Sequence, residues 1–307
     1  MKRNFNHLFI MAALALAALD ACQAVGQPPP ALPEAPAAQA SLPRPDRIVP
    51  YKTLGHVTLH LHLFEPADRK PSDRRAAIVF FFGGGWTGGD PKQFYPHARA
   101  LADRGMVAFT AEYRVKSRNQ TTPLECVKDA KSAIRWVRAH AAELGIDPSR
   151  VAASGGSAGG HLAACTGLVE GHEEQGEDLQ ISSVPNAMIL FNPVLDTTKA
   201  TGFGADRFTP DLQTALSPCH QVRQSAPPAL VFHGTADKTV PFEQAARFAR
   251  LMQAAGSHCL LVPFEGKGHG FFNDPSFRPK NDGADYQQTM KHAVEFLAAH
   301  NFLTPNQ

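Results

Sequence analysis

The sequence predicts a doubly wound α/β fold with a mostly parallel sheet, carried in a single domain. Three observations predict it. From Tyr51 onward short apolar runs alternate with longer amphipathic stretches, runs such as Ala77–Phe82 have no polar interruption, and no internal repeat divides the chain. A strand covered by helices on both faces reads as continuous apolar sequence, and strands alternating with helices make βαβ units.

The elements follow in order. Val57–Phe64 alternates Val and Leu with Thr58, His60 and His62, which predicts a half-buried antiparallel strand. His60 and His62 share one face of it; a metal could use them, but a solvated face is the favoured reading. Ala77–Phe82 is expected to be buried on both faces, and Met106–Tyr113, Val151–Ser154, Ala187–Phe191, Ala229–His233 and Cys259–Phe264 continue the series. Helical patterns lie near 93–104, 125–143, 158–170, 242–255 and 285–300. In 125–143 the apolar positions Val127, Ala130, Ile134, Val137 and Ala141 step by three and four, giving one core-facing stripe. The segment Asp196–Pro228 is too short for a full cap, so at most a short cap segment over an open site is expected.

Composition narrows the function. The 307 residues are 43% hydrophobic and 19% charged, and 30 Lys+Arg against 28 Asp+Glu leave a net charge of +2. So small a charge makes no strong field, which argues against nucleic acid as a partner. Lys2 and Arg3 precede an apolar run, Leu8–Leu19, too short to span a bilayer but suited to the core of an export signal. Two ends fit: cleavage after Ala24, or lipidation of Cys22 within Leu19-Asp20-Ala21-Cys22, which resembles a lipobox and would tether the protein to a membrane. Asp20 departs from the residue usual there. Eight prolines fall between Pro28 and Pro50, a composition that favours an extended tether over a packed segment. The division expected is thus 1–24 leader, 25–50 proline-rich linker and 51–307 folded domain, in an exported protein. In an oxidising compartment Cys126, Cys165, Cys219 and Cys259 allow up to two disulfides, and buried free thiols fit equally well.

The strongest chemical motif is Gly155-Gly156-Ser157-Ala158-Gly159, directly after the strand Val151–Ser154 and opening a helix. Glycines around Ser157 let a strand turn sharply into a helix and leave the serine exposed on the turn. A serine nucleophile needs a base and a group to orient that base. His269 lies in Gly266-Lys267-Gly268-His269-Gly270, a glycine loop just past a strand, whereas His258, His292 and His300 fall on a strand or the last helix. Asp237 lies in a turn after the strand Ala229–His233, where open α/β sheets place functional groups; Asp196 is its competitor. Phe82-Gly83-Gly84-Gly85-Trp86 follows the strand Ala77–Phe82, and Gly84, Gly85 and Ala158 are the expected N–H donors to an oxyanion. Gly83, Gly85 and Gly88 do space as Gly-x-Gly-x-x-Gly, but that string is a weak signal on its own, and the dinucleotide-binding reading of the turn is not favoured. Trp86, Phe82 and Gly156, together with residues of the segment Asp196–Pro228, are the expected substrate contacts.

Taken together, Gly83-Gly84-Gly85-Trp86, Gly155-Gly156-Ser157-Ala158-Gly159-Gly160-His161, His233-Gly234-Thr235-Ala236-Asp237 and Gly268-His269-Gly270-Phe271 resemble the bacterial carboxylesterases of the α/β-hydrolase superfamily, in particular the acetyl- and feruloyl-esterase-like group related to hormone-sensitive lipase. The resemblance runs from about Tyr51 to Phe302. It implies acyl transfer from a small-molecule or carbohydrate ester by Ser157, His269 and Asp237, with no metal or organic cofactor. Two departures stand out: Phe82 stands where the family usually has His, and Gly156 where it usually has Asp or Glu. Three other readings stay open, namely a kynurenine-formamidase-like amidase, a peptidase, and a surface-binding lipoprotein with an unused triad.

Overall fold

The structure is a computed structural model that describes residues 41–201 and 203–303. The leader, Cys22 and most of the proline-rich stretch lie outside the described residues.

Among the described residues, eight strands form one sheet: β1 (Arg47–Leu54), β2 (Val57–Phe64), β3 (Arg75–Phe81), β4 (Val107–Ala111), β5 (Ile146–Gly156), β6 (Ala187–Phe191), β7 (Ala229–Gly234) and β8 (Cys259–Phe264), in the spatial order β1-β2-β4-β3-β5-β6-β7-β8. β1 with β2 and β2 with β4 are antiparallel, and every later pairing is parallel. The helices are α1 (Tyr95–Ala102), α2 (Lys116–Asn119), α3 (Pro123–Ala139), α4 (Ala158–Leu168), α5 (Pro210–Ala215), α6 (Phe242–Ala254) and α7 (Ala284–Ala299), with short 3-10 turns between them.

Alternate side chains of each central strand point to opposite faces and feed two cores. Val79, Phe81, Phe109, Val151 and Ala153 pack with α3, α4 and α6. Ile78, Phe80, Ala108, Ala152 and Ile189 pack with α1 and α7. This three-layer arrangement, with its antiparallel start and parallel remainder, is the α/β-hydrolase fold.

The domain begins earlier than the expected 50/51 boundary. β1 starts at Arg47 and carries Pro50, and its register with β2 shifts between Pro50 and Lys52. Proline cannot donate to a ladder, so it is tolerated here on an edge strand beside an irregularity. The side chain of Lys52 then reaches inward, donating to Asp129 Oδ1 at 2.7 Å and Ser132 Oγ at 2.9 Å on α3.

The face of β2 carrying His60 and His62 is also not simply solvated. His62 is buried, and both rings engage Glu112, His60 Nδ1 at 2.9 Å and His62 Nε2 at 3.4 Å. Burial alone would raise the Glu112 carboxyl, but the hydrogen bonds from His62, His60 and the His60 N–H pull it down to about 2. The four described cysteines are free thiols, three of them buried.

Candidate active site

The carboxyl ends of five neighbouring parallel strands converge on one cavity, where an open α/β sheet places its ligands. At the end of β5 the chain turns into α4 through Ser157, whose φ of 56° and ψ of −120° are sparsely populated for a side-chain-bearing residue. The turn is held by Ser157 N donating to Phe191 O at 2.9 Å. It also needs glycine at two places: a Cβ on Gly159 would lie 2.0 Å from Phe81 O, and one on Gly155 would lie 2.4 Å from Gly159 O. α4 is buried along its whole length, so the serine stands on a helix that cannot shift without opening the core.

His269 and Asp237 come together as expected. His269 Nδ1 lies 2.7 Å from Asp237 Oδ2. Asp237 Oδ1 accepts from Thr239 N at 2.8 Å and Val240 N at 3.0 Å, and His233 Nε2 lies 3.4 Å from Oδ2. Burial by itself would raise this carboxyl; hydrogen bonds from His233, His269 and the Val240 N–H overcome that and hold it well below the usual carboxylate range. An ionised Asp237 accepts from Nδ1–H, which leaves Nε2 bare and facing the cavity that Ser157 also lines. In the resting geometry Ser157 and His269 share the cavity without a hydrogen bond between them, a looseness common before substrate binds. The competitor Asp196 is engaged elsewhere, by Arg247 and by Thr198 N at 2.9 Å.

The glycine loop after β3, expected to carry the oxyanion donors, brings Gly84 and Gly85 to the cavity. Gly83 N is already used, donating to Gln93 Oε1 at 2.7 Å. Gly84 and Gly85 line the cavity with φ of 135° and 61°, values that favour glycine. Ala158 N, at the first position of α4, is a helix-end donor with no carbonyl in its own helix. Gly84 and Gly85 share the cavity with Ser157, and Ala158 N stands at the positive end of the helix dipole.

The expected substrate contacts are corrected. Phe82, Trp86 and Gly156 do not line the cavity. Phe82 is buried and stacks on Tyr113 with ring centroids 4.0 Å apart, while Tyr113 Oη donates to Phe82 O at 2.7 Å. Trp86 is a strut beneath the loop: its indole N–H donates to His161 Nδ1 at 3.3 Å, and His161 Nε2 lies 2.7 Å from Leu216 O. That pairing requires the neutral imidazole, and burial pushes His161 down to about 4. The cavity walls come instead from Phe203, Phe272 and Phe277 together with Gln93, Asn192 and Asn273, and its volume is about 560 Å³.

A BD-FAE family model matches residues 61–252. The chain belongs to the BD-FAE family. The matched span includes the oxyanion loop, Ser157 and Asp237, and His269 lies beyond its end. The chain is 30% identical over 220 residues to esterase LipC of Mycobacterium tuberculosis, a match covering 66% of this chain and 54% of that protein; it spans about half the length of the curated relatives it matches. Among solved structures, Thermogutta terrifontis esterase 2 phosphonylated by cyclosarin shares 52% identity at a TM-score of 0.80, over 84% of this chain and 96% of that one. The propionate-bound form of the same esterase also matches at 52% and 0.80, with the same coverage of both chains.

In this BD-FAE chain both departures from the family pattern have a structural reason. A Cβ on Gly156 would lie 2.6 Å from Phe272 Cζ, so the absent side chain makes room for the aromatic wall of the cavity. With Phe82 before the glycines, the loop is held by other groups: Tyr113 on Phe82 O, Gln93 on Gly83 N, and Arg207 donating to Gly85 O at 3.0 Å. Gln93 Nε2 in turn donates to Asn273 Oδ1 at 3.0 Å, and Asn273 Nδ2 to Gly270 O at 2.8 Å. Two amide side chains therefore tie the oxyanion loop to the histidine loop. Asn192, at the end of β6, accepts from Gly270 N at 3.1 Å and places its Nδ2 3.5 Å from His269 Nε2. Asn192 and Asn273 escaped sequence reading because no local motif marks them.

Proposed function

We propose that the protein is a serine carboxylic-ester hydrolase acting through an acyl-enzyme on short-chain acyl esters. The observation that carries this reading is the 2.7 Å Asp237–His269 contact, with Nε2 turned to the cavity of Ser157 and the Gly84 and Gly85 loop. Ser157 Oγ attacks the ester carbonyl as His269 Nε2 takes its proton. The imidazolium, stabilised by Asp237, returns that proton to the leaving alcohol. The N–H groups of Gly84, Gly85 and Ala158 receive the oxyanion. Water then repeats the sequence and releases the acid.

Three further observations support the reading. Thermogutta terrifontis esterase 2, 52% identical, is phosphonylated by cyclosarin in one solved structure and phosphorylated by paraoxon in another. Further structures of the same esterase hold propionate and butyrate, short acids of the kind the proposed acyl half would release. The cavity is open and partly polar, which suits an acylated carbohydrate, acetylated or feruloylated, as the alcohol component. An exported enzyme, freely secreted or tethered through Cys22, would meet such substrates outside the cell.

The Ser157→Ala variant tests the assignment. It should fold normally and lose p-nitrophenyl acetate hydrolysis; residual activity above a few per cent of wild type would overturn the role of Ser157.

A further inference from the structure

Two guanidinium groups flank the nucleophile in the cavity, Arg207 on the oxyanion-loop side and Arg278 on the histidine-loop side. Their settings are alike. Arg207 Nη1 donates to Gly85 O at 3.0 Å, and Arg278 Nη1 lies 3.3 Å from His269 O. Each guanidinium lies over a glycine of the loop it touches: a Cβ on Gly85 would fall 2.3 Å from Arg207 Nη1, and one on Gly270 would fall 2.0 Å from Arg278 Nη1. Arg207 Cζ also lies 5.9 Å from the Trp86 ring centroid and 6.0 Å from that of Phe203.

Both side chains are exposed, and among the described residues neither forms an ion pair with a carboxylate. The carboxylate that does line the cavity, Asp90, is occupied: Oδ1 accepts from Lys92 N at 2.8 Å, and Oδ2 lies 3.8 Å from Lys92 Nζ. A guanidinium carries five donors in a planar fork and is suited to a carboxylate. Among the described residues, one backbone carbonyl holds each group, so most donors of these two cavity-lining guanidiniums remain available.

We propose that the two arginines form an anion subsite and that the preferred substrates are esters bearing a free carboxylate. This rests on the ester-hydrolase reading above and names the substrate class of that site. The carboxylate can belong to the acyl half, as in a dicarboxylic hemiester, or to the alcohol half, as in an acylated hydroxy acid.

Paired substrates of matched shape decide it. Monoethyl glutarate against ethyl 4-carbamoylbutanoate probes the acyl half; 4-acetoxybutanoate against 4-acetoxybutanamide probes the alcohol half. In one arm kcat/KM should favour the carboxylate by about 10-fold, the difference between a charged and a neutral hydrogen-bonded partner. The preference should fall toward unity in Arg207→Gln and Arg278→Gln and weaken with added salt. The arm that shows it identifies the half carrying the charge. A ratio at or below one in both arms, or a ratio unchanged in both variants, overturns the proposal.

Calorimetry on the full-length Ser157→Ala chain separates this from the activity itself. Tighter binding of the carboxylate member of a pair upholds the subsite even if wild type turns over no ester, in which case the hydrolase reading alone fails. Equal binding of both members, beside normal turnover of p-nitrophenyl butyrate, sinks the subsite and leaves the hydrolase reading standing.

Discussion

Replacing Asp237 with asparagine isolates what this carboxylate does, because the structure dictates how the amide would sit. Oδ1 accepts from two backbone N–H groups, Thr239 at 2.8 Å and Val240 at 3.0 Å. The amide oxygen must take that position, since an NH2 group there would face two donors. The NH2 is then forced onto the Oδ2 side, 2.7 Å from His269 Nδ1. Nδ1 has to accept, so the ring proton moves to Nε2, and the nitrogen that should receive the serine proton no longer can. The loss expected from a wrong tautomer is ~10⁴-fold in kcat/KM, or ~5 kcal/mol of transition-state stabilisation. Stability should change by only ~1–2 kcal/mol, because both backbone hydrogen bonds survive. Steady-state hydrolysis of p-nitrophenyl butyrate beside a thermal melt reads both quantities. A folded Asp237→Asn variant keeping more than about a tenth of wild-type activity would refute the tautomer argument.

Other perturbations test the supports. Trp86→Phe removes the indole donor from His161 Nδ1 and leaves that nitrogen buried without a partner; stability should fall by ~1–3 kcal/mol beyond any packing loss, with a lower kcat as the oxyanion loop loosens. Denaturant unfolding and ester kinetics check it, and a variant unchanged in both contradicts the strut role. His97 is fully buried among Phe80, Phe94, Phe191, Phe272 and Tyr286, with no hydrogen bond to either ring nitrogen. Burial pushes it down to about 3. The native state thus refuses a proton that the unfolded chain accepts near pH 6.5, so this contribution to stability is intact above that pH and is lost as pH falls from about 6.5 toward 3. Relative to His97→Leu, wild type should lose ~3 kcal/mol between pH 7 and pH 4; parallel stability curves for the two proteins would contradict the burial argument.

Much of the fold was legible because uninterrupted apolar runs marked the central strands. Ala187–Phe191 and Cys259–Phe264 end where the sequence pattern ends. β1 was hidden by Pro50, which reads as linker until the edge position and the register shift show how the strand accommodates it. The four-residue α2 and six-residue α5 are too short for a helical period to declare itself. At the site, the placement of Ser157, Asp237, His269 and the glycine loop was readable since each sits in a loop whose composition is dictated by its turn. The walls were not. Phe82 and Trp86 adjoin the right loop in sequence, but their side chains turn inward onto Tyr113 and His161. Phe203 and Arg207 do come from the expected segment Asp196–Pro228, whereas Phe272, Asn192 and Arg278 arrive from segments that no motif marks. The Gln93–Asn273 bridge joins residues 180 positions apart, a pairing that only the folded chain reveals.

Peptide mapping by mass spectrometry after exposure to a fluorophosphonate tests most directly whether Ser157 is an activated nucleophile. The adduct should appear on Ser157 alone, at a rate that tracks the loss of esterase activity, and should form orders of magnitude more slowly in His269→Ala. A wild-type protein that hydrolyses esters while Ser157 stays unmodified, or a Ser157 labelled equally fast without His269, would contradict the mechanism.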